Sequence, residues 1–141
     1  MSLRWRMGVL ALVVVTLVMA SALGSPAGDK KDKPEVILFQ DINYGGRDVV
    51  LHKDIENLTK LNFNDEASSL KWHLPPDMAA VLFIDADYQK PLLVLVGKGH
   101  FPDLGKLTDG NDSISSVAFM PCPPGGNPKG IGVDIPRVGQ R

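Results

Sequence analysis

The sequence has a single cysteine, and it lacks the motifs of the common enzyme and metal-site classes. Because Cys122 has no second cysteine in the chain, no intramolecular disulfide can stabilise the fold. No nucleophile elbow (G-x-S-x-G), zinc-protease helix (H-E-x-x-H) or P-loop is present. His52, His73 and His100 do not have metal-ligand spacing to one another. No group of titratable residues supports catalysis, and we predict a protein that is not an enzyme.

The chain also lacks a strong excess of charge of either sign. The charged segment at residues 29–33 mixes lysine with aspartate and is too short to indicate nucleic-acid binding. Without Arg4 and Arg6, which lie in a segment that secretion would remove, 13 basic residues stand against 16 acidic ones, a net charge of −3. This mild acidity favours a cation over a polyanion as the partner, and we predict no nucleic-acid partner.

Only one long apolar run without a charge is found near the N-terminus. Residues 7–19 follow Arg4 and Arg6 and lead to the small residues at 20–22. This is the pattern of a secretory signal peptide, and the run is shorter than the roughly 20 apolar residues that span a bilayer. We predict a signal peptide with its cleavage position left open, a secreted (extracellular or periplasmic) protein, and no membrane association after cleavage.

Against these absences, one six-residue phrase occurs twice. Residues 64–69 read Asn-Asp-Glu-Ala-Ser-Ser and residues 111–116 read Asn-Asp-Ser-Ile-Ser-Ser, each followed by an aliphatic residue. A single copy would be interpreted as a polar turn, because Asn, Asp and Ser dominate turns. The carboxylate, amide and hydroxyl oxygens suit Ca²⁺, whereas Zn²⁺ and copper prefer imidazole or thiolate. The second copy in a matching context therefore predicts calcium binding.

The repeat extends upstream of these twin phrases. Residues 36–44 align with residues 80–88 at an offset of 44, and the offset has grown to 47 at the phrases. Two units of this size favour one domain with pseudo-twofold symmetry over a solenoid, which needs more copies. Short strands with regularly spaced turn signals over residues 35–120 predict an all-β sandwich.

These residues resemble the βγ-crystallin family. The family's hairpin signature (aromatic, four residues, aromatic, any residue, Gly) is met by Phe39, Tyr44 and Gly46, and both phrases match its calcium signature at every position. The second hairpin departs from the family because Lys90 stands where the family has Gly. If that position needs a positive φ, the second hairpin is either distorted or has its turn shifted onto residues 89–91.

The resemblance implies a β-sandwich of two Greek-key motifs that fills the middle of the chain. The predicted segments are a signal peptide (1–24), a flexible lead-in (25–34), a βγ-crystallin-like domain (35–120, with Greek keys at about 35–73 and 79–120) and a Pro/Gly-rich tail (121–141). We interpret the tail as mostly disordered. Cys122 in such a tail either offers a route to a disulfide-linked dimer or stays an idle thiol, and the protein is otherwise expected to be a monomer.

The resemblance further implies two calcium sites that each draw on both phrases. The third residue of a phrase lends its backbone carbonyl to one site, and the hydroxyl of the fifth residue goes to the other site. The Asp is expected to ligate, the first Asn to ligate or brace the loop, and the last Ser, Ser69 or Ser116, to bond the hairpin instead. The predicted metal-site residues are Asn64, Asp65, Glu66, Ser68, Asn111, Asp112, Ser113 and Ser115, with backbone oxygens of Gln40 and Ile84 as further ligands.

The resulting hypothesis is a secreted calcium-binding protein in which Ca²⁺ stabilises the fold at two sites. Because few charges reach each ion, we expect an affinity on the order of micromolar to submillimolar. The alternative is a secreted effector, such as a toxin or protease inhibitor, whose function lies in a loop or tail of the same scaffold. A highly basic surface or a long rigid exposed loop would favour that alternative.

Overall fold

A computed structural model describes residues 33–140, which form eight strands and three short 3₁₀ helices. The strands are β1 Glu35–Phe39, β2 Asp48–Leu51, β3 Ser69–His73, β4 Met78–Asp85, β5 Gln89–Val96, β6 Lys98–Phe101, β7 Ser116–Pro121 and β8 Arg137–Val138. The 3₁₀ helices are Ile42–Tyr44, Leu58–Leu61 and Leu104–Lys106. No helix in this part of the chain is long and apolar enough to cross a membrane. The predicted signal peptide, and the lead-in up to residue 32, lie outside the described residues.

The strands form two four-stranded sheets, with the orders β2-β1-β3-β6 and β7-β4-β5-β8. Strand β6 follows β5 in the chain but pairs with β3 in the first sheet. In the same way, Ile55 from the first half bridges to Val117 on β7 in the second sheet. Each half therefore contributes one piece to the other half's sheet. This confirms the predicted all-β sandwich of two Greek-key motifs.

The core lies between the sheets because alternate residues of each strand point inward. On β1, Val36 and Leu38 are buried, and on β3, Leu70 and Trp72 are buried, while the residues between them face outward. Trp72 fixes one end of this core by donating its indole N–H to the carbonyl of Val96 at 3.0 Å. The core therefore follows the period-2 pattern expected of strands with one buried face.

The tail differs from the predicted disordered segment, because residues 122–138 pack on the outer face of the second sheet. Ile131 and Ile135 lie against a second apolar cluster, whose buried members are Ala79, Val81, Phe83, Val94, Val96, Ala118 and Cys122. Strand β8 then pairs in parallel with β5. The interpretation as a mostly disordered tail was wrong, since β4 and β5 present apolar residues on both faces and the tail covers the outer one.

Cys122 belongs to this covered layer. The residue is only 4% exposed, and its thiol lies 3.2 Å from the carbonyl of Gly126. A disulfide between two chains, the predicted route to a dimer, would require this packed segment to open first.

The second hairpin keeps the geometry of the first in spite of Lys90. The rings of Phe83 and Tyr88 meet edge-to-face at 5.8 Å, as those of Phe39 and Tyr44 do at 5.6 Å. Lys90 has a φ of 56° at the position where Gly46 has 72°. The turn is therefore not shifted, and the local distortion is a change of register between Leu82 and Phe83.

Candidate metal centre

The two phrases lie side by side, although 47 residues separate them in the chain. Each phrase is the loop that enters the closing strand of its Greek key, β3 or β7. Their backbones bond to each other: the N–H of Asp65 donates to the carbonyl of Ile114 at 3.2 Å, and the N–H of Asp112 donates to that of Ala67 at 3.1 Å. The sandwich thus turns a sequence repeat into a single pair of facing loops.

Asp65 and Asp112 occupy matching strained positions at the centre of this pair. Their φ values are 53° and 49°, in the left-handed region that costs most L-residues roughly 1–2 kcal/mol. The side-chain amide of the preceding Asn donates to one carboxylate oxygen, Asn64 to Asp65 at 2.7 Å and Asn111 to Asp112 at 2.8 Å. The asparagines therefore act here as braces that orient the carboxylates.

The remaining carboxylate oxygens make a crossed pair of hydrogen bonds between the two phrases. Ser68 donates to Oδ1 of Asp112 at 3.0 Å, and Ser115 donates to Oδ1 of Asp65 at 2.9 Å. Both serines are only 7% exposed. A hydroxyl that gives its proton to a carboxylate keeps its lone pairs, so each Ser–Asp pair can present oxygens to a cation.

One cavity of about 330 Å³ opens beside these groups. Its lining residues are Gln40, Asp41, Asp65, Glu66, Ser68 and Asp112. The cavity is lined by Glu66 and Ser68 of one phrase and by Asp112 of the other. Asp41 was missed as a site residue; its position directly after Gln40 in the aligned hairpins was the available signal.

Arg47 binds the side chain of Glu66, one of the residues that line this cavity. Its guanidinium forms an ion pair with the Glu66 carboxylate, donates to the carbonyl of Asn62, and lies 5.2 Å from the ring centre of Phe63. The ion pair offsets one negative charge and leaves the Glu66 backbone carbonyl for a metal. Nothing in the sequence pattern pointed to Arg47, because the contact depends on how the first hairpin folds over the phrase.

The corresponding groups of the second half differ in charge and in donors. Ile84, half-buried near the end of β4, stands where the first half has Gln40. Asp85, the equivalent of Asp41, forms an ion pair with Lys90 at 2.8 Å, and the contact raises the pKa of Lys90. Ser113 donates its hydroxyl to the carbonyl of Asp109. The second phrase itself has one carboxylate fewer than the first, because Ser113 stands where the first has Glu66.

The last serine of each phrase ties the hairpin down, as predicted. Ser69 donates to the carbonyl of Asp41 at 2.6 Å and accepts from the N–H of Tyr44 at 2.9 Å. Ser116 makes the same two bonds, to Asp85 at 2.7 Å and from Tyr88 at 3.1 Å. Both serines are fully buried, so they hold the loops in place without facing the cavity.

The donor set fits a hard cation held largely by uncharged oxygens. Within residues 33–140, no three His, Cys, Asp or Glu side chains form a group that would hold a metal by themselves. The carboxylates of Asp65 and Asp112 are instead combined with hydroxyls, and Gln40 and Glu66 line the cavity beside them. Such a set suits Ca²⁺, which accepts carbonyls and water in flexible geometry.

Comparison with known proteins identifies the fold. No family model matches the chain. A curated β/γ-crystallin of Ciona intestinalis is 29% identical over 83 residues, which are 59% of this chain and 94% of that protein. The solved structure of a Ciona intestinalis βγ-crystallin is 28% identical, covers 60% of this chain and 96% of its own, and superposes with a TM-score of 0.50. The described domain is of the βγ-crystallin type.

An archaeal βγ-crystallin structure extends the same fold to a microbial protein. It is 23% identical, covers 62% of this chain and 98% of its own, and gives a TM-score of 0.51. These relatives are crystallin-type domains rather than enzymes. The first-half cavity and the crossed Ser–Asp bonds thus belong to a domain of the βγ-crystallin type.

Proposed function

We propose that this βγ-crystallin-type protein is a secreted, non-enzymatic calcium-binding protein in which Ca²⁺ stabilises the fold at two sites. The crossed Ser68–Asp112 and Ser115–Asp65 bonds carry the proposal. They gather hard oxygens from both halves of the domain at the junction of two loops. A cation bound there would therefore tie the two Greek keys together.

The stabilising effect follows from linkage. An ion that binds the folded state alone adds about 2.7 kcal/mol per site when its concentration is a hundredfold above Kd. We propose a Kd on the order of micromolar to submillimolar, because few full charges reach each ion. The first-half site, with Gln40, Asp41 and Glu66 in its cavity, is proposed to be the tighter one. In millimolar extracellular calcium the tighter site would be filled permanently.

The deciding experiment is thermal unfolding of residues 25–141 in EDTA and then in millimolar Ca²⁺, with Mg²⁺ as the control ion. We expect the unfolding midpoint to rise by several degrees in Ca²⁺ and to change little in Mg²⁺, which demands tighter octahedral geometry. An equal unfolding midpoint in EDTA and in Ca²⁺ would contradict the proposal that calcium stabilises the fold. The secreted effector on the same scaffold would then be the better hypothesis.

A further inference from the structure

Four basic side chains share the solvent-facing side of β3 and β6, and we call them the basic patch: Lys71, His73, Lys98 and His100. In the antiparallel register, Lys71 lies opposite His100 and His73 lies opposite Lys98. The neighbours Leu70 and Trp72 are buried in the core. Strand alternation therefore places all four basic residues on the opposite, outer face.

The basic patch is a local feature of the molecule. The chain as a whole has a formal net charge of −1 at pH 7. Within residues 33–140, neither Lys71 nor Lys98 forms an ion pair with a carboxylate; Glu35, opposite His73 on β1, is the acidic residue that adjoins the patch. The ammonium groups of Lys71 and Lys98 therefore leave positive charge on this face, which an anion lying over it would neutralise.

Aromatic contacts hold part of the patch in position. The Lys71 ammonium lies 4.3 Å from the ring centre of Tyr44 and 5.6 Å from that of Phe39. The Tyr44 hydroxyl is 2.6 Å from Nδ1 of His100. These contacts restrict the long Lys71 side chain before any ligand arrives, which lowers the entropy lost on binding.

The patch opens into a groove of about 830 Å³. The C-terminal tail forms one of its walls, at Val138, Gly139 and Gln140. That wall is fixed by two backbone bonds between Lys98 and Gln140, at 3.0 and 3.2 Å. A volume of this size suits a small ligand or a short segment of a longer one.

We propose that the groove binds an acidic polysaccharide through two of its anionic groups. Lys71 and Lys98 are diagonal neighbours on the paired strands, about 7 Å apart. Two sulfate or carboxylate groups at that spacing would each meet one of the two ammonium groups. Stacking of nucleic-acid bases is not favoured, because Trp72 is only 5% exposed and Phe101 is half-buried. The choice of a polysaccharide rests on the proposed extracellular location.

The test uses residues 25–141 and calorimetric titration in 0.15 M salt. The probes are a heparin-derived hexasaccharide, the same hexasaccharide without its sulfates, and a single-stranded 12-nucleotide oligothymidylate.

The patch variant is Lys71→Gln with Lys98→Gln. The matched control is Lys53→Gln with Lys129→Gln, which removes two exposed lysines elsewhere. A second variant, Lys71→Arg with Lys98→Arg, keeps the charge. Each titration is run in Ca²⁺ and in EDTA, which separates this site from the metal centre.

We expect the sulfated hexasaccharide to bind, and its Kd to rise about tenfold in the patch variant and less than about twofold in the control. The arginine variant, which keeps both positive charges, should retain binding. An equal loss in the control, or no binding of the sulfated probe, would overturn the site. Tighter binding of the oligothymidylate than of the hexasaccharide would overturn the polysaccharide as its ligand.

Discussion

At the scale of single residues, Asp65 and Asp112 combine a backbone role with a ligand role. Each sits at a positive φ, is braced by the Asn before it, and accepts from a serine of the other phrase. Glycine would accept the same φ without the carboxylate. Replacing Asp by Gly therefore separates the two roles.

We expect Asp65→Gly and Asp112→Gly each to weaken calcium binding by about tenfold or more, because each removes one of the few full charges near the ion. Calorimetric titration with Ca²⁺ measures this. Asp65→Asn and Asp112→Asn serve as the controls, since they keep an oxygen donor and should weaken binding less. Unchanged affinity in both glycine variants would show that the ligand assignment is wrong even though the fold is right.

Lys90 is a second residue whose charge and backbone effects can be separated. Its ammonium is bound to Asp85, and its φ of 56° is unfavourable for a residue with a side chain. Lys90→Gln removes the charge and keeps the backbone cost, and Lys90→Gly removes both.

We expect both Lys90 variants to raise the calcium affinity of the weaker site several-fold, because each removes a positive charge that repels the divalent ion. Two-site calorimetry separates the calcium affinity of the weaker site from that of the tighter site, and the affinity of the tighter site should not change. If only Lys90→Gly improved binding, the cause would be the backbone rather than the charge.

At the scale of structural elements, the tail is the part that departs most from expectation. It reaches β5 because Gly139 passes the second sheet at very short range: a Cβ there would lie 1.8 Å from the carbonyl of Val96, and its φ is 120°. The N–H of Val94 also donates to the carbonyl of Pro136 at 2.8 Å. The tail thus protects the exposed edge of β5, which an unpaired strand would leave open to other chains.

We expect Gly139→Ala to displace β8 and lower the unfolding midpoint by at least about 4 °C, which corresponds to about 1 kcal/mol for a domain near this size. Trypsin should then cut after Lys129 and Arg137 faster than in the parent protein. Gly125→Ala is the matched control, since Gly125 also has a positive φ, of 76°, but its Cβ would meet nothing within 4 Å. Equal effects of the two substitutions would mean that backbone conformation, not the close approach, is responsible.

At the scale of the whole molecule, the crossed bonds make the two halves dependent on each other. Asp65 and Ser115 are 50 residues apart and come from different Greek keys. We expect a double-mutant cycle of Asp65→Gly and Ser115→Ala to show a coupling of roughly 0.5–1.5 kcal/mol in the free energy of unfolding. Denaturant unfolding in EDTA measures it without the metal. Asp65→Gly with Ser68→Ala is the control cycle, and it should be additive; equal coupling in both cycles would contradict the crossed arrangement.

The sequence by itself determined the strands, the two hairpins and the identity of the oxygen donors. Alternation fixes which face of β1 and β3 is buried, and the repeat of Asn-Asp-x-x-Ser-Ser determines which chemistry the loops can offer. The role of Ser69 and Ser116 in holding the hairpins was implied by the resemblance to the βγ-crystallins and is what the structure shows. Strand alternation and the identity of the oxygen donors are local features, so spacing and residue type are enough to predict them.

Only the tertiary structure decided which groups meet. Contacts such as Ser68 with Asp112, Arg47 with Glu66 and Lys90 with Asp85 depend on how strands and hairpins pack. The packing of the tail could not be predicted from its sequence either. Its composition indicated disorder, but the apolar outer faces of β4 and β5 gave it a surface to bury, and that burial offsets the entropy of ordering it. Residue type sets what a side chain can do, and packing sets its partner.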